Sequence, residues 1–87
     1  MFEKVSKYHP DKIADRIAGA IVDLAYAIEQ RPIVAVEVLI GHGNCNIIIE
    51  SNITFRNKDI KRIVTRIAGN MKLNLKQVHQ DNILAGN

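Results

Sequence analysis

The hydrophobic pattern of this 87-residue chain changes abruptly at Arg31-Pro32. Before this point, apolar residues recur every three or four positions, as on the buried side of a helix: Ile13, Ile17, Ile21, Leu24 and Ile28. After it, residues 33–40 are β-branched and almost wholly apolar, which is typical of a strand. Because proline disfavours helical geometry in the residue before it, the sequence predicts a helix over about residues 10–30 and a strand over residues 33–40.

The rest of the chain predicts a hairpin, a second helix and a weaker third strand. Gly41-His42-Gly43-Asn44 is a turn signal, so residues 45–54 are predicted to pair with the first strand. Asn57 suits the N-cap of a second helix, and Gly69-Asn70 ends it. The buried positions of that helix are Ile60, Ile63, Val64 and Ile67. In the tail, Leu73, Leu75 and Val78 alternate weakly, which predicts a short third strand.

The order helix, strand, strand, helix, strand predicts a single α+β domain over residues 1–87. In this arrangement both helices stack on one face of a small antiparallel sheet. A chain of this size buries only about two-thirds of its surface on folding, so its core is thin. The other sheet face is left bare, with either the odd-numbered or the even-numbered residues of the first strand on it. A bare apolar face predicts a homodimer or a partner domain.

Composition excludes several classes of protein. Cys45 is the only cysteine, which excludes an internal disulfide and fits a reducing cytoplasm. The apolar runs are too short for a membrane span, and the N-terminus lacks the apolar core of a signal peptide. A net charge of +3 is too weak by itself to indicate nucleic-acid binding, and only four aromatic residues argue against a base-stacking platform. The basic positions of the second helix still leave phosphate contact open: Lys58, Lys61, Arg62 and Arg66.

The densest group of functional side chains is His9-Pro10-Asp11-Lys12, where the first helix begins. Backbone N–H groups and the helix dipole attract anions at such a position. His9 and Lys12 can donate to phosphate oxygens, and Asp11 can hold a Mg²⁺ that bridges those oxygens. An ordinary helix start explains the same residues, so both interpretations remain open.

Two glutamates interrupt the apolar strands. Glu37 lies in the middle of the first strand, and Glu50 follows Ile47-Ile48-Ile49 in the second. A carboxylate is costly to bury unless it is paired, and residues that break a local pattern often mark functional sites. An edge strand or a face turned to solvent is the alternative explanation for both glutamates.

The N-terminal part of the chain resembles S-adenosylmethionine synthetase (methionine adenosyltransferase). The signature of that family is a Glu-x-Val-Ser-x-x-His-Pro-Asp-Lys-Ile-Ala-Asp run, matched here at Glu3, Val5, Ser6 and residues 9–15. The likeness continues into Val34-Ala35-Val36-Glu37 and the strand end that starts at Glu50. It fades over the second helix and is nearly lost after Gly69.

The resemblance implies a reaction and a role for each matched residue. The family converts ATP, L-methionine and water to S-adenosylmethionine, phosphate and diphosphate. By this resemblance His9 and Lys12 are catalytic residues that face the triphosphate of ATP, and Asp11 binds Mg²⁺. Glu37 resembles a K⁺ ligand, and Glu50 resembles the residue that holds the amino group of methionine. The expected cofactors are therefore Mg²⁺ and K⁺.

Several departures from the family bear on activity. Tyr8 stands where the family has glycine and Lys7 where it has an acidic residue, while Ile48-Ile49 replaces a Gly-Gly pair. Family chains are several times longer, their domains are discontinuous, and their active sites form between subunits packed through flat sheet faces. We therefore expect an isolated chain that is inactive and belongs to a split, truncated or degenerate enzyme. The alternative is a non-catalytic module that uses its bare sheet face to form a homodimer or to join a synthetase subunit.

A second family shares the same short run. Residues 7–12 also match the loop motif of J-domain co-chaperones. That motif joins two antiparallel helices in an all-helical fold, whereas only eight residues precede His9 here and a β-hairpin is predicted after the helix. The synthetase resemblance is the one that agrees with the predicted elements.

Overall fold

The structure, a computed structural model, describes the backbone of residues 10–80 and the side chains of residues 12–80. Its elements are α1 (Pro10–Ile28), β1 (Val34–Gly41), β2 (Asn44–Ser51), α2 (Asn57–Ala68) and β3 (Lys72–His79). The α+β class, the order of the elements and the third strand are confirmed. The first helix ends at Ile28, slightly before the predicted boundary.

β1 and β2 form the predicted hairpin. They pair antiparallel, with Val34 opposite Ser51 at one end and Gly41 opposite Asn44 at the other. The two turn residues, His42 (φ 49°) and Gly43 (φ 80°), both have positive φ, which suits the twist of a two-residue hairpin turn.

β2 ends at Ser51, earlier than predicted, because a local turn replaces the ladder there. The Ser51 hydroxyl accepts a hydrogen bond from the Ile53 N–H at 3.1 Å and donates one to the Ile53 carbonyl at 2.6 Å. A serine side chain that bonds the backbone in this way competes with strand pairing.

The sheet is mixed rather than wholly antiparallel, in the order β1-β2-β3. β3 runs parallel to β2, from Asn44 opposite Lys72 to Ser51 opposite His79. The reason is the connection: α2 carries the chain back to the end of the sheet where β2 began, and a parallel pair requires such a crossover.

The predicted N-cap of α2 was wrong. Arg56 occupies that position in an extended conformation, Asn57 is the first helical residue, and no side chain caps the helix. The Arg56 carbonyl instead accepts the Asp59 N–H at 3.0 Å, and Arg56 Nε donates to Asp59 Oδ2 at 3.1 Å. The predicted end is confirmed, since Gly69 (φ 85°) donates its N–H to the Thr65 carbonyl at 3.0 Å.

The core lies between the helices and one face of the sheet, so both helices stack on one face as predicted. The buried apolar residues are Ile17, Ile21 and Ala25 of α1, Cys45, Ile47 and Ile49 of β2, Ile60, Ile63 and Val64 of α2, and Ile53 and Phe55 of the connection. Burial raises the pKa of the Cys45 thiol. Within the described part of the chain, no helix is long and apolar enough to span a bilayer.

The connection between β2 and α2 is tied to the sheet by side-chain amides. Asn52 donates its N–H to the Ile33 carbonyl and accepts the Ile33 N–H on its side-chain oxygen, both at 3.0 Å. Gln77 of β3 pairs with both backbone groups of Phe55, accepting at 2.9 Å and donating at 2.8 Å. These bonds fix the chain immediately after Glu50.

Candidate functional site

One face of the sheet is turned away from both helices, and we call it the open face. On β1 it carries the odd-numbered residues, and on β2 and β3 the even-numbered ones. The strand registers align them in four rows: Ala35–Glu50–Val78, Glu37–Ile48–Lys76, Leu39–Asn46–Asn74 and Gly41–Asn44–Lys72. The even-numbered residues of β1 therefore pack toward the helices, which decides between the two faces that the sequence left open.

The structure brings Glu37 and Glu50 together on the open face. Glu37 lies opposite Ile48, so Glu50 is its diagonal neighbour on the next strand, a relation that places Cα atoms about 7–8 Å apart. A shallow hollow of about 250 Å³ is lined by Ala35, Val36, Glu37, Ile48 and Glu50. The two glutamates predicted from the sequence therefore share one site.

Both carboxylates of the hollow are exposed. Neither Glu37 nor Glu50 forms a hydrogen bond or an ion pair with another residue that the structure describes. Ionised carboxylates only accept hydrogen bonds, and their oxygens suit ammonium groups and hard cations. The site can therefore bind a positively charged group. Among the described strands β1 also lies at an edge of the sheet, which is the alternative explanation that the sequence left open for Glu37.

The sequence missed Lys76 and Val78 as members of the open face. Lys76 lies in the same row as Glu37, with Ile48 between them, and Val78 lies beside Glu50. The only local signal is the alternation along β3. It could not identify these neighbours, because the strand order and the parallel register decide them.

Of the run His9-Pro10-Asp11-Lys12, only Lys12 has a side chain that the structure describes. Lys12 is exposed in the first turn of α1, a helix that packs against the opposite face of the sheet. Asp11 belongs to α1, but its side chain lies outside the described part, and His9 lies outside the described residues altogether.

Comparison with known proteins decides the family. The sequence model of the S-adenosylmethionine synthetase N-terminal domain matches residues 1–83. The chain belongs to this family. The synthetase-family chain is 42% identical to the S-adenosylmethionine synthase of Borreliella afzelii over 66 residues, which are 75% of this chain and 17% of that relative. It is 44% identical to the S-adenosylmethionine synthase of Salinispora tropica over 64 residues, or 74% of this chain and 16% of the relative.

The chain thus spans less than a fifth of the length of these curated relatives. The J-domain alternative is excluded for the described residues, because a three-stranded sheet lies where that family has only helices. Membership in the synthetase family agrees with the resemblance inferred from the N-terminal signature.

In this synthetase-family domain, the two residues that replace the expected Gly-Gly pair face opposite ways. Ile49 is completely buried in the core. Ile48 is 43% exposed and lines the hollow beside Glu50. Of these two residues, only Ile48 therefore lies at the candidate site.

Proposed function

We propose that this domain supplies one part of an S-adenosylmethionine synthetase active site and does not catalyse the reaction alone. The observation that carries the proposal is the position of Glu37 and Glu50 on a sheet face that no described element covers. The sheet forms one side of such a site, and no described element forms the opposite side. Adenosyl transfer requires the methionine sulfur to be aligned on C5′ of ATP and the triphosphate charge to be stabilised, which takes groups from several directions.

Within that site, Glu50 accepts hydrogen bonds from the ammonium group of methionine, and Glu37 is a ligand of K⁺. The carboxylates fit these roles because each is exposed and has no partner among the described residues. Glu50 is also well positioned, since Ser51 directly after it is buried and held in a turn by its two bonds to Ile53. K⁺ bound there would add positive charge beside the substrates.

His9 and Lys12 contact the triphosphate of ATP in this proposal, and Asp11 holds Mg²⁺. The support is the family match over residues 1–83, which includes all three, together with the exposed position of Lys12. Mg²⁺ would offset the negative charge of the phosphates when bound. A cytoplasmic location, in which Cys45 stays reduced, fits such an enzyme.

Ile48 supports the inactivity of the isolated chain. Its side chain occupies space in the hollow where a glycine would leave room beside Glu50. A hollow of about 250 Å³ that is also open to solvent excludes water poorly. Poor exclusion of water weakens the electrostatic stabilisation on which charged-group transfer depends.

The test is mass-spectrometric detection of S-adenosylmethionine after incubation of the purified chain with ATP, methionine, Mg²⁺ and K⁺. We expect no product above that of the His9→Ala variant. Product from the unmodified chain that disappears in His9→Ala would show that the chain is a complete catalyst and would overturn the proposal.

A second candidate function is an assembly module, favoured by the apolar residues on the open face. Leu39 is 70% exposed and Ile48 is 43% exposed, on the same side of the sheet. In this case the face binds a second copy or a larger synthetase subunit. Sedimentation should then show a dimer that Ile48→Lys dissociates, whereas the matched control Tyr26→Lys, on exposed α1 surface, should not.

Calorimetric titration with Mg-ATP separates the two candidates. A dimer that does not bind the nucleotide supports the assembly module. Nucleotide binding that is lost in Lys12→Ala supports a residual part of the active site.

A further inference from the structure

Among the residues that the structure describes, β3 is an edge strand, and the outward-facing backbone groups of Leu73 and Leu75 have no partner. The Lys72 N–H donates to the Gly43 carbonyl and the Gln80 N–H donates to the Ser51 carbonyl, so the even-numbered residues of this strand bond to β2. In a parallel pair the alternate residues then point their N–H and C=O groups away, which places those of Leu73 and Leu75 at the free edge. Such an edge is a template for another strand.

A basic cleft lies beside this edge, between α2 and β3. It has a volume of about 520 Å³, with an apolar floor of half-buried Met71, Leu73 and Leu75. Its rim carries three exposed lysines, Lys58, Lys61 and Lys72. None of the three forms an ion pair with another residue that the structure describes, and no acidic side chain lines the cleft.

We propose that the β3 edge and its basic cleft bind an extended peptide segment of alternating apolar and acidic residues as a fourth strand. Main-chain hydrogen bonds to Leu73 and Leu75 supply affinity in this mode, and alternate side chains supply specificity. The apolar side chains of the segment cover the floor of the cleft. Its acidic side chains lie beside Lys72 across the strand pair, where opposite charges attract.

Charge also decides against a second copy of the chain as the occupant. Pairing two β3 edges would bring Lys72 and Lys76 of one copy close to the same lysines of the other. Like charges on neighbouring strands are unfavourable, and edge lysines of this kind prevent self-association. An acidic segment turns the same lysines into attractive contacts.

This surface is distinct from the hollow that contains Glu37 and Glu50. The hollow lies on the open face across β1 and β2, whereas the cleft lies on the helix side of the β3 edge. Failure of the catalytic proposal therefore leaves the edge proposal unaffected, and the reverse also holds.

The test uses the 87-residue chain and a fluorescent eight-residue peptide that alternates valine with glutamate. The fluorescence anisotropy of the peptide should rise when the chain is added. Amide hydrogen exchange measured by NMR should slow at Leu73 and Leu75 when the peptide is bound. A peptide that alternates valine with lysine should not bind. The double variant Lys72→Glu/Lys76→Glu should weaken binding about tenfold or more.

The matched control is Arg62→Glu/Arg66→Glu, which makes the same change of net charge on the side of α2 that faces α1. It should leave the affinity nearly unchanged, and circular dichroism should show that both double variants are folded. Equal weakening in the two variants, or binding without slower exchange at Leu73 and Leu75, would overturn the proposal. So would stronger binding of an oligouridine without that protection, which would identify a nucleic-acid surface instead.

Discussion

Gln77 offers a sharp test of how this small domain is held together. Its side-chain amide accepts the Phe55 N–H at 2.9 Å and donates to the Phe55 carbonyl at 2.8 Å, in a part-buried position. Phe55 itself is only 3% exposed. Replacing Gln77 with Glu keeps the size and one acceptor but removes the donor, so that a carboxylate faces the Phe55 carbonyl oxygen.

The expected loss follows from this geometry. One net hydrogen bond is worth about 1 kcal/mol, and a buried carbonyl left without a partner costs about 1–3 kcal/mol. Because the site is part-buried, we expect Gln77→Glu to lower the free energy of unfolding by about 2–3 kcal/mol at pH 7. In a domain of this size each kcal/mol lowers Tm by about 4–8 °C, so Tm should fall by about 8–24 °C.

The loss should depend on pH in a defined direction. The protonated carboxyl regains a donor for the Phe55 carbonyl, so the folded state raises the pKa of the introduced group above its unfolded value of about 4.3. The stability that the protonated form contributes is fully present below the unfolded pKa and is lost as the pH rises through the folded pKa. Urea unfolding followed by circular dichroism should therefore show a smaller deficit at pH 4 than at pH 7.

Asn74→Asp is the matched control on the same strand. Asn74 donates to Asn46 Oδ1 at 3.0 Å on the exposed side of the sheet, so the same chemical change occurs in water. It should cost less than about 0.5 kcal/mol. Equal losses in the two variants, or a Gln77→Glu deficit that does not narrow in acid, would refute the role given to the Gln77–Phe55 pair.

Three further predictions concern the core and the backbone. Burial raises the pKa of the Cys45 thiol. The stability that the protonated thiol contributes is therefore complete below the unfolded pKa of about 8.5 and is lost as the pH rises through the folded pKa. Urea unfolding from pH 7 to 10 should show this loss of stability in the unmodified chain and not in Cys45→Ala. Ile21→Ala should lower the free energy of unfolding by about 2–5 kcal/mol, since Ile21 is completely buried, and an unchanged midpoint would contradict the packing. Gly69→Ala should destabilise by about 1–3 kcal/mol, because φ 85° and ψ −158° favour glycine, whereas Gly19→Ala in open space within α1 should stabilise by about 0.5–1 kcal/mol. Thermal shifts of the same sign in these two glycine variants would argue against the described backbone.

Local features were predicted well where they depend on neighbouring residues. The isoleucine spacing of α1, the Gly41–Asn44 turn and the end of α2 at Gly69 all have physical causes within a few positions. The spacing was wrong only for Ile28, which was predicted on the buried side of α1 and is 54% exposed at the end of the helix. The predicted N-cap of α2 was wrong, because residue type alone does not decide where the backbone turns into a helix. Asn57 was the better cap by residue type, but the backbone turns one residue earlier, where Arg56 is paired with Asp59.

Only part of the candidate site could be predicted from the sequence. Glu37 and Glu50 could be selected because each interrupts an apolar strand, and the N-terminal signature identified the family. Their position on a shared hollow depends on the pairing of Ala35 with Glu50 and of Glu37 with Ile48, which is a property of the hairpin register. The opposite orientations of Ile48 and Ile49 follow from the same register, because successive strand residues face opposite sides.

The sequence by itself determined the elements, their order and the family, because periodicity, turn residues and a contiguous motif all depend on residues close together in the chain. Only the tertiary structure decided that β3 runs parallel to β2 and lies at the edge. A parallel pair joins residues far apart in sequence through a crossover, and no local pattern specifies which edge the returning strand takes. That choice places Lys76 in the row of Glu37 and leaves the backbone of Leu73 and Leu75 free beside the basic cleft.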